Sequence, residues 1–177
     1  MFKSIGAAFC FVILFSSCDK LDELTKFDIE YNQRVTIPSS AGVDLPFDVF
    51  TPETETNSES KFEVNDTRKD LIEEIKLTEL EMVIISPSDA DFSFLNSVEV
   101  YISADGLDEI LVASLDEVPA NAGGTILLNT EDKDLKEYIK KDEFSLRLHT
   151  VTDELMSTDH ELQVNSTFFV DAKILGL

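Results

Sequence analysis

The chain has no Trp, six Gly, five Pro and two Cys in 177 residues, and 14 Lys+Arg stand against 36 Asp+Glu. The shortage of cations gives a formal net charge of -22. That excludes a nucleic-acid binder, because phosphate contacts need clustered Lys and Arg. It also argues against adsorption to anionic lipid through charge alone. The missing Trp removes one platform for stacking on a sugar ring and leaves that role to Phe and Tyr. The glycines are scattered, with only Gly123-Gly124 adjacent. They make no Walker loop and no dinucleotide fingerprint, and no G-x-S-x-G is present. Against these absences, 43% of the residues are hydrophobic and 13 are Phe. Disorder by composition needs low hydrophobicity together with high charge, so the chain reads as a folded acidic domain.

Met1 to Ser4 carries one positive charge, Ile5 to Phe15 is apolar, and Ser16-Ser17 precede Cys18. This is the layout of a secretory signal peptide. The apolar run is shorter than the roughly 20 residues that span a bilayer, and Asp19-Lys20-Leu21-Asp22-Glu23 prevents its extension. Leu14-Phe15-Ser16-Ser17-Cys18 resembles the lipobox of bacterial lipoproteins, with Phe15 where that family usually has Leu. The resemblance covers the first 18 residues. It implies cleavage before Cys18, a thioether-linked diacylglycerol on the Cys18 sulfur and an acyl group on its new amine. It also implies a bacterial cell-envelope location, membrane-anchored by lipid and facing the periplasm or the cell surface. Several acyl chains anchor a protein stably where a single one does not.

The expected organisation is therefore a signal peptide over 1–17, a lipidated Cys and tether over 18–25, and one domain over 26–177. Cys10 leaves with the signal and Cys18 is acylated, so the domain has no disulfide and no thiolate chemistry. The tether, Asp19 to Thr25, reaches at most ~25 Å and keeps the domain close to its membrane.

Within the domain, alternation dominates. Phe27, Ile29, Tyr31, Val35 and Ile37 share one face of a strand over 26–37, the period-two mark of a half-buried strand. Val43, Leu45, Phe47 and Val49 alternate again, with Pro46 marking an edge or a bend. Residues 51–60 are polar and acidic and predict a solvated, mobile loop. Thr67 and Asp70 fit a capping box, with Leu71, Ile72 and Ile75 on one face of a helix over 68–76. A central strand follows over 77–86, then a helical turn within 91–96 that plants Phe92 and Leu95.

Val98, Val100 and Ile102 alternate ahead of an Asp105-Gly106 hairpin turn. Strands over 109–114 and 125–129 come next, then a helix over 131–141 that buries Leu135, Tyr138 and Ile139. Phe144, Leu146 and Leu148 mark the penultimate strand. Leu162, Val164, Phe168, Val170 and Ile174 mark the last. About eight strands with two short helices predict a mainly β fold, an antiparallel β-sandwich of immunoglobulin-like or jelly-roll topology. The immunoglobulin Cys-Trp-Cys marker is absent.

No constellation of catalytic residues emerges. His149 and His160 flank what reads as the last hairpin. Strand parity turns His149 outward and His160 inward, so they form no shared site. Asp89-Ala90-Asp91 begins like a calcium loop, but Phe94 stands where Gly must turn and Val100 where the closing Glu belongs. Asp105, Asp108 and Glu109 are weak candidates for Ca²⁺, and no other cofactor is expected. With 36 acids, carboxylate pairs suitable for glycoside hydrolysis arise by chance. Phe27, Tyr31, Phe47 and Phe168 read as core. Phe50, Phe62, Tyr101 and Phe169 break the inward pattern and would mark a partner surface if exposed together. The expectation is a lipid-anchored, non-enzymatic module that binds a protein or glycan. The alternatives are an envelope hydrolase with a carboxylate pair and an assembly accessory of a neighbouring membrane protein.

Overall fold

A computed structural model describes residues 25–173. The stretch expected to be a signal peptide, Cys18, most of the expected tether and Ile174 lie outside the described residues.

The described residues form ten strands in two antiparallel sheets. The strands are β1 (Lys26–Ile37), β2 (Pro46–Phe50), β3 (Thr54–Glu55), β4 (Ile72–Ser86), β5 (Leu95–Ala104), β6 (Ile110–Leu115), β7 (Thr125–Leu127), β8 (Asn129–Thr130), β9 (Glu143–Thr152) and β10 (His160–Ala172). Two short helices, α1 (Ser58–Glu63) and α2 (Lys136–Ile139), lie outside the sheets. One sheet runs β1-β10-β4-β7. The other runs β2-β9-β5-β6-β8, with β3 also on β9. The main pairs nest: β1 with β10, β2 with β9, β4 with β7, β5 with β6. That nesting is the jelly-roll arrangement, which decides between the two topologies the sequence leaves open.

The strand faces follow the alternation. Ile29, Tyr31, Val35 and Ile37 of β1 face Phe144, Leu146 and Leu148 of β9 and Val98, Val100 and Ile102 of β5 across one continuous core. Burying these aliphatic and aromatic side chains, at about 1.5–3 kcal/mol each, is what holds the sheets together. Gln33 also points inward and is 4% exposed. Pro46 opens the edge strand β2, where its missing N–H costs no ladder bond. Gly106 sits at φ 72 in the turn between β5 and β6, a conformation that suits glycine.

The helix expected over 68–76 is not formed. A 3₁₀ turn spans Lys69–Leu71, and β4 starts at Ile72. Thr67 caps nothing; its hydroxyl donates to the Lys173 carbonyl at 2.8 Å. The misleading spacing comes from register shifts in the β4–β10 pairing. Ile72 pairs with Ala172 but Glu74 with Asp171; Leu77 pairs with Phe168 but Glu79 with Thr167. Each shift inserts one residue, so Ile72, Ile75, Leu77 and Leu80 all face the core. A three-residue step in a bulged strand imitates a helical stripe.

The helix expected over 131–141 shortens to Lys136–Ile139. Leu135, Tyr138 and Ile139 are buried as expected. Of the acids before them, Asp134 ties the start of α2 to β4. The Asp134 carboxylate accepts from the Ile75 and Lys136 N–H groups, both at 3.1 Å, and Leu135 N–H donates to the Ile75 carbonyl at 2.6 Å.

The polar stretch 51–60 is not a free loop. It contains β3 and the start of α1, and it buries Thr51, Thr56 and Ser58. Thr56 Oγ1 donates to the Lys141 carbonyl at 2.6 Å, and the Tyr31 hydroxyl donates to the Thr56 carbonyl at 2.8 Å. Burial holds the Tyr31 phenol well above its ordinary range, so it stays a donor. Side-chain hydroxyls here do what ladder hydrogen bonds do elsewhere.

Candidate functional site

The outer face of the larger sheet carries an ordered polar cluster. Cross-strand register sets Asp48 beside His149 and His149 beside Glu99; one step along, Phe50 pairs with Arg147 and Arg147 with Tyr101. Arg147 is the hub. Its guanidinium lies 4.2 Å from the centre of the Tyr101 ring. Nη1 reaches Asp48 Oδ1 at 2.7 Å, while Nε and Nη2 clasp the Glu109 carboxylate at 2.9 and 2.7 Å. Such two-pronged pairs favour Arg over Lys. The Tyr101 hydroxyl donates to Glu99 at 2.9 Å, and His149 Nδ1 lies 2.8 Å from Asp48 Oδ1.

The hydrogen bond from His149, then those from Arg147, hold the Asp48 carboxyl below the usual carboxylate range. A lowered folded-state value means stability that is present above the unfolded value and lost as pH falls through the folded one. Thermal melts taken from about pH 5 to about pH 2 should therefore show an acid-side loss that is slightly smaller in Asp48→Asn than in the wild type. Equal acid-side slopes would show that the cluster adds no stability. The site is exposed, so the difference will be small.

The sequence-stated candidates fall in different places. His149 and His160 lie on different sheets and flank no hairpin, because β9 and β10 do not pair. His160 is 8% exposed, with its ring 4.6 Å from that of Phe94. Glu109 serves Arg147, and Asp91 accepts from Ser93 N–H at 3.0 Å. Among the described residues, no three His, Cys, Asp or Glu side chains converge on a position for a metal ion. The four pattern-breaking aromatics do not form one patch; only Phe50 and Tyr101 share a face, on either side of Arg147. Phe62 is fully buried against Phe27, Phe50 is 63% exposed, and Tyr101 and Phe169 are half-buried on opposite sheets. Arg147 escaped the sequence reading, although a lone cation at an outward position of β9 was its available signal.

A second feature is an open cleft of about 490 Å³. One wall is the run from Glu55 to Ser60; the other is Asp142 and Glu143 at the start of β9, with Lys69 between them. Lys69 Nζ lies 3.7 Å from Glu59 and 3.8 Å from Asp142. The cleft opens at the end where β1 begins, since Lys26 pairs with Asp171 and Lys173 N–H donates to the Leu71 carbonyl.

No protein-family model and no curated protein matches the chain. Among solved structures, the chain is similar to Desmodium yellow mottle tymovirus at 9% identity and a TM-score of 0.29, covering 99% of each chain. It is also similar to an empty head of turnip yellow mosaic virus at 13% identity and a TM-score of 0.27, covering 98% of this chain and 92% of that one. Likenesses of this size carry no argument about what the protein does.

Proposed function

We propose that the protein is a lipid-anchored envelope protein whose jelly-roll domain is a non-enzymatic binding module for a protein or glycan. The observation that carries the anchoring is Leu14-Phe15-Ser16-Ser17-Cys18, followed after seven residues by the first strand at Lys26. No helix among the described residues is long and apolar enough to cross a membrane. In this reading the attachment is the lipid on Cys18.

Two features support binding over hydrolysis. The outer sheet face sets an exposed Phe50 beside the Arg147–Tyr101 stack, an aromatic and guanidinium surface of the kind that anchors partners. The cleft holds carboxylates, but a general acid for glycoside hydrolysis is kept protonated by burial. Its Glu59 and Asp142 side chains are 80% and 102% exposed.

Fractionation of cells expressing Cys18→Ala tests the anchor. The variant should lose acyl labelling and leave the membrane fraction; retention in the membrane without label would overturn the reading. Pull-down from detergent-solubilised membranes separates the accessory role, in which one membrane protein is recovered, from glycan binding, in which none is.

A further inference from the structure

We infer that a second copy of this chain pairs with the free edge of β1, joining the two smaller sheets into one across a two-fold axis at Asn32. This goes beyond the binding-module reading and needs neither the anchor nor the outer-face cluster.

The edges of the sandwich are unequal. Among the described residues, β7 offers three residues, β8 two, and β2 five that begin at Pro46. Short length and proline are common ways of blunting an edge. β1 also ends its sheet, yet it runs for 12 residues without proline and pairs with β10 without a register shift.

In an antiparallel edge strand, every second residue turns both its N–H and its C=O away from the sheet. Glu30 is one of these. Its carbonyl accepts from Lys61 Nζ at 3.4 Å, while the carbonyl of Thr167, opposite it on β10, turns to β4 and accepts from Thr78. Asp28, Asn32, Arg34 and Thr36 share the orientation of Glu30. No hydrogen bond among the described residues takes up their outward backbone groups. Lys61 covers only Glu30, and a single side chain can swing aside.

The side chains along this edge select the occupant. Asp28, Glu30, Asn32, Arg34 and Thr36 are all exposed. Antiparallel pairing of β1 with itself about Asn32 sets Glu30 of each copy opposite Arg34 of the other. Ile29 then lies opposite Val35 on the core face. Opposite charges across a strand pair stabilise it, and like charges destabilise it. Axes at Glu30 or Arg34 set like charges opposite each other; axes at Tyr31 or Gln33 set Glu30 opposite Asn32 or Thr36. Arg34 meets Glu161 of its own chain through Nη1 alone, so the rest of its fork is left for the second copy. Two chains of net charge -22 repel at a distance, but at ~0.15 M salt that repulsion is screened beyond ~8 Å.

The test is disulfide trapping of the full chain in membranes at ~0.15 M salt, with copper phenanthroline as oxidant and non-reducing electrophoresis as the readout. Asn32→Cys should give a dimer, because paired Cα atoms ~5.5 Å apart suit a disulfide. Glu30→Cys and Arg34→Cys should give little, since each would face its own copy four residues out of register, ~13 Å away. In the Asn32→Cys chain, Glu30→Arg alone or Arg34→Glu alone should lower the dimer yield by about threefold or more. Both together should restore it, because the pair is then reversed.

No dimer from Asn32→Cys would overturn the inference. Equal yields at positions 30, 32 and 34 would do the same, as they would report random collision. So would failure of the double reversal to restore the yield. The wild type, whose cysteines both precede Lys26, is the baseline. A dimer band there would report Cys18 as a free thiol, a failure of the anchor and not of the edge, and the edge is then read in the Cys10→Ser, Cys18→Ala chain.

Discussion

Phe168→Ala is expected to destabilise the fold by about 3–5 kcal/mol, a large share of the ~5–15 kcal/mol that separates a folded domain from its unfolded chain. Phe168 on β10 is 1% exposed. Its ring lies 5.7 Å from Tyr31 of β1 and 6.1 Å from Phe144 of β9, each edge-on, and Tyr31 and Phe144 are themselves 5.1 Å apart. The three rings come from both sheets, so they join the layers as well as filling space. Edge-to-face pairs add ~0.5–1.5 kcal/mol beyond area burial. Removing one ring breaks two such pairs and leaves a cavity that the flanking strands cannot close without losing register. In urea unfolding the midpoint should fall sharply while the slope stays constant. A loss below about 1 kcal/mol would mean that the triad is not central to the core.

Thr51→Val is expected to cost about 1–3 kcal/mol although it preserves shape. Thr51 Oγ1 accepts from the Leu146 N–H at 2.8 Å and from Gln33 Nε2 at 3.2 Å, and Thr51 is 5% exposed. The backbone adds a second tie, because Thr51 N–H donates to the Leu146 carbonyl at 2.9 Å. Valine keeps the packing and leaves a buried amide N–H without an acceptor. An orphaned buried donor costs more than an average hydrogen bond contributes. Thr51→Ser keeps the oxygen and should lose far less. If Val and Ser behaved alike, the methyl contact and not the hydrogen bond would be what matters.

Both effects show where the sequence was legible. Phe144 and Phe168 sit in clean period-two runs, and so do the core positions of β1 and β5. Alternation exposes such strands because one face is dry and the other wet. Thr51, Thr56 and Gln33 gave no such signal. Their burial depends on partners up to 95 residues away, as Leu146 is from Thr51, and a polar run without apolar residues reads as loop. In β4, an inserted residue sets Ile72 and Ile75 three apart on the core face, a spacing that reads as helical.

The sites were less legible than the core. The cleft joins segments near residues 55–60, 69 and 142–143, which the nested strand pairing brings together. In a chain with 36 acids no local pattern marks four of them as neighbours. Arg147 draws its role from Asp48 and Glu109, each on a different strand or turn. Only Leu14-Phe15-Ser16-Ser17-Cys18, the run that resembles a lipobox, is local, and it lies outside the described residues.

Mass spectrometry of the N-terminal peptide from the membrane fraction tests the anchoring most directly. The account predicts a peptide that starts at Cys18 and carries a diacylglycerol on sulfur and an acyl chain on nitrogen. A membrane-bound protein whose peptide starts elsewhere, or starts at an unmodified Cys18, would contradict it.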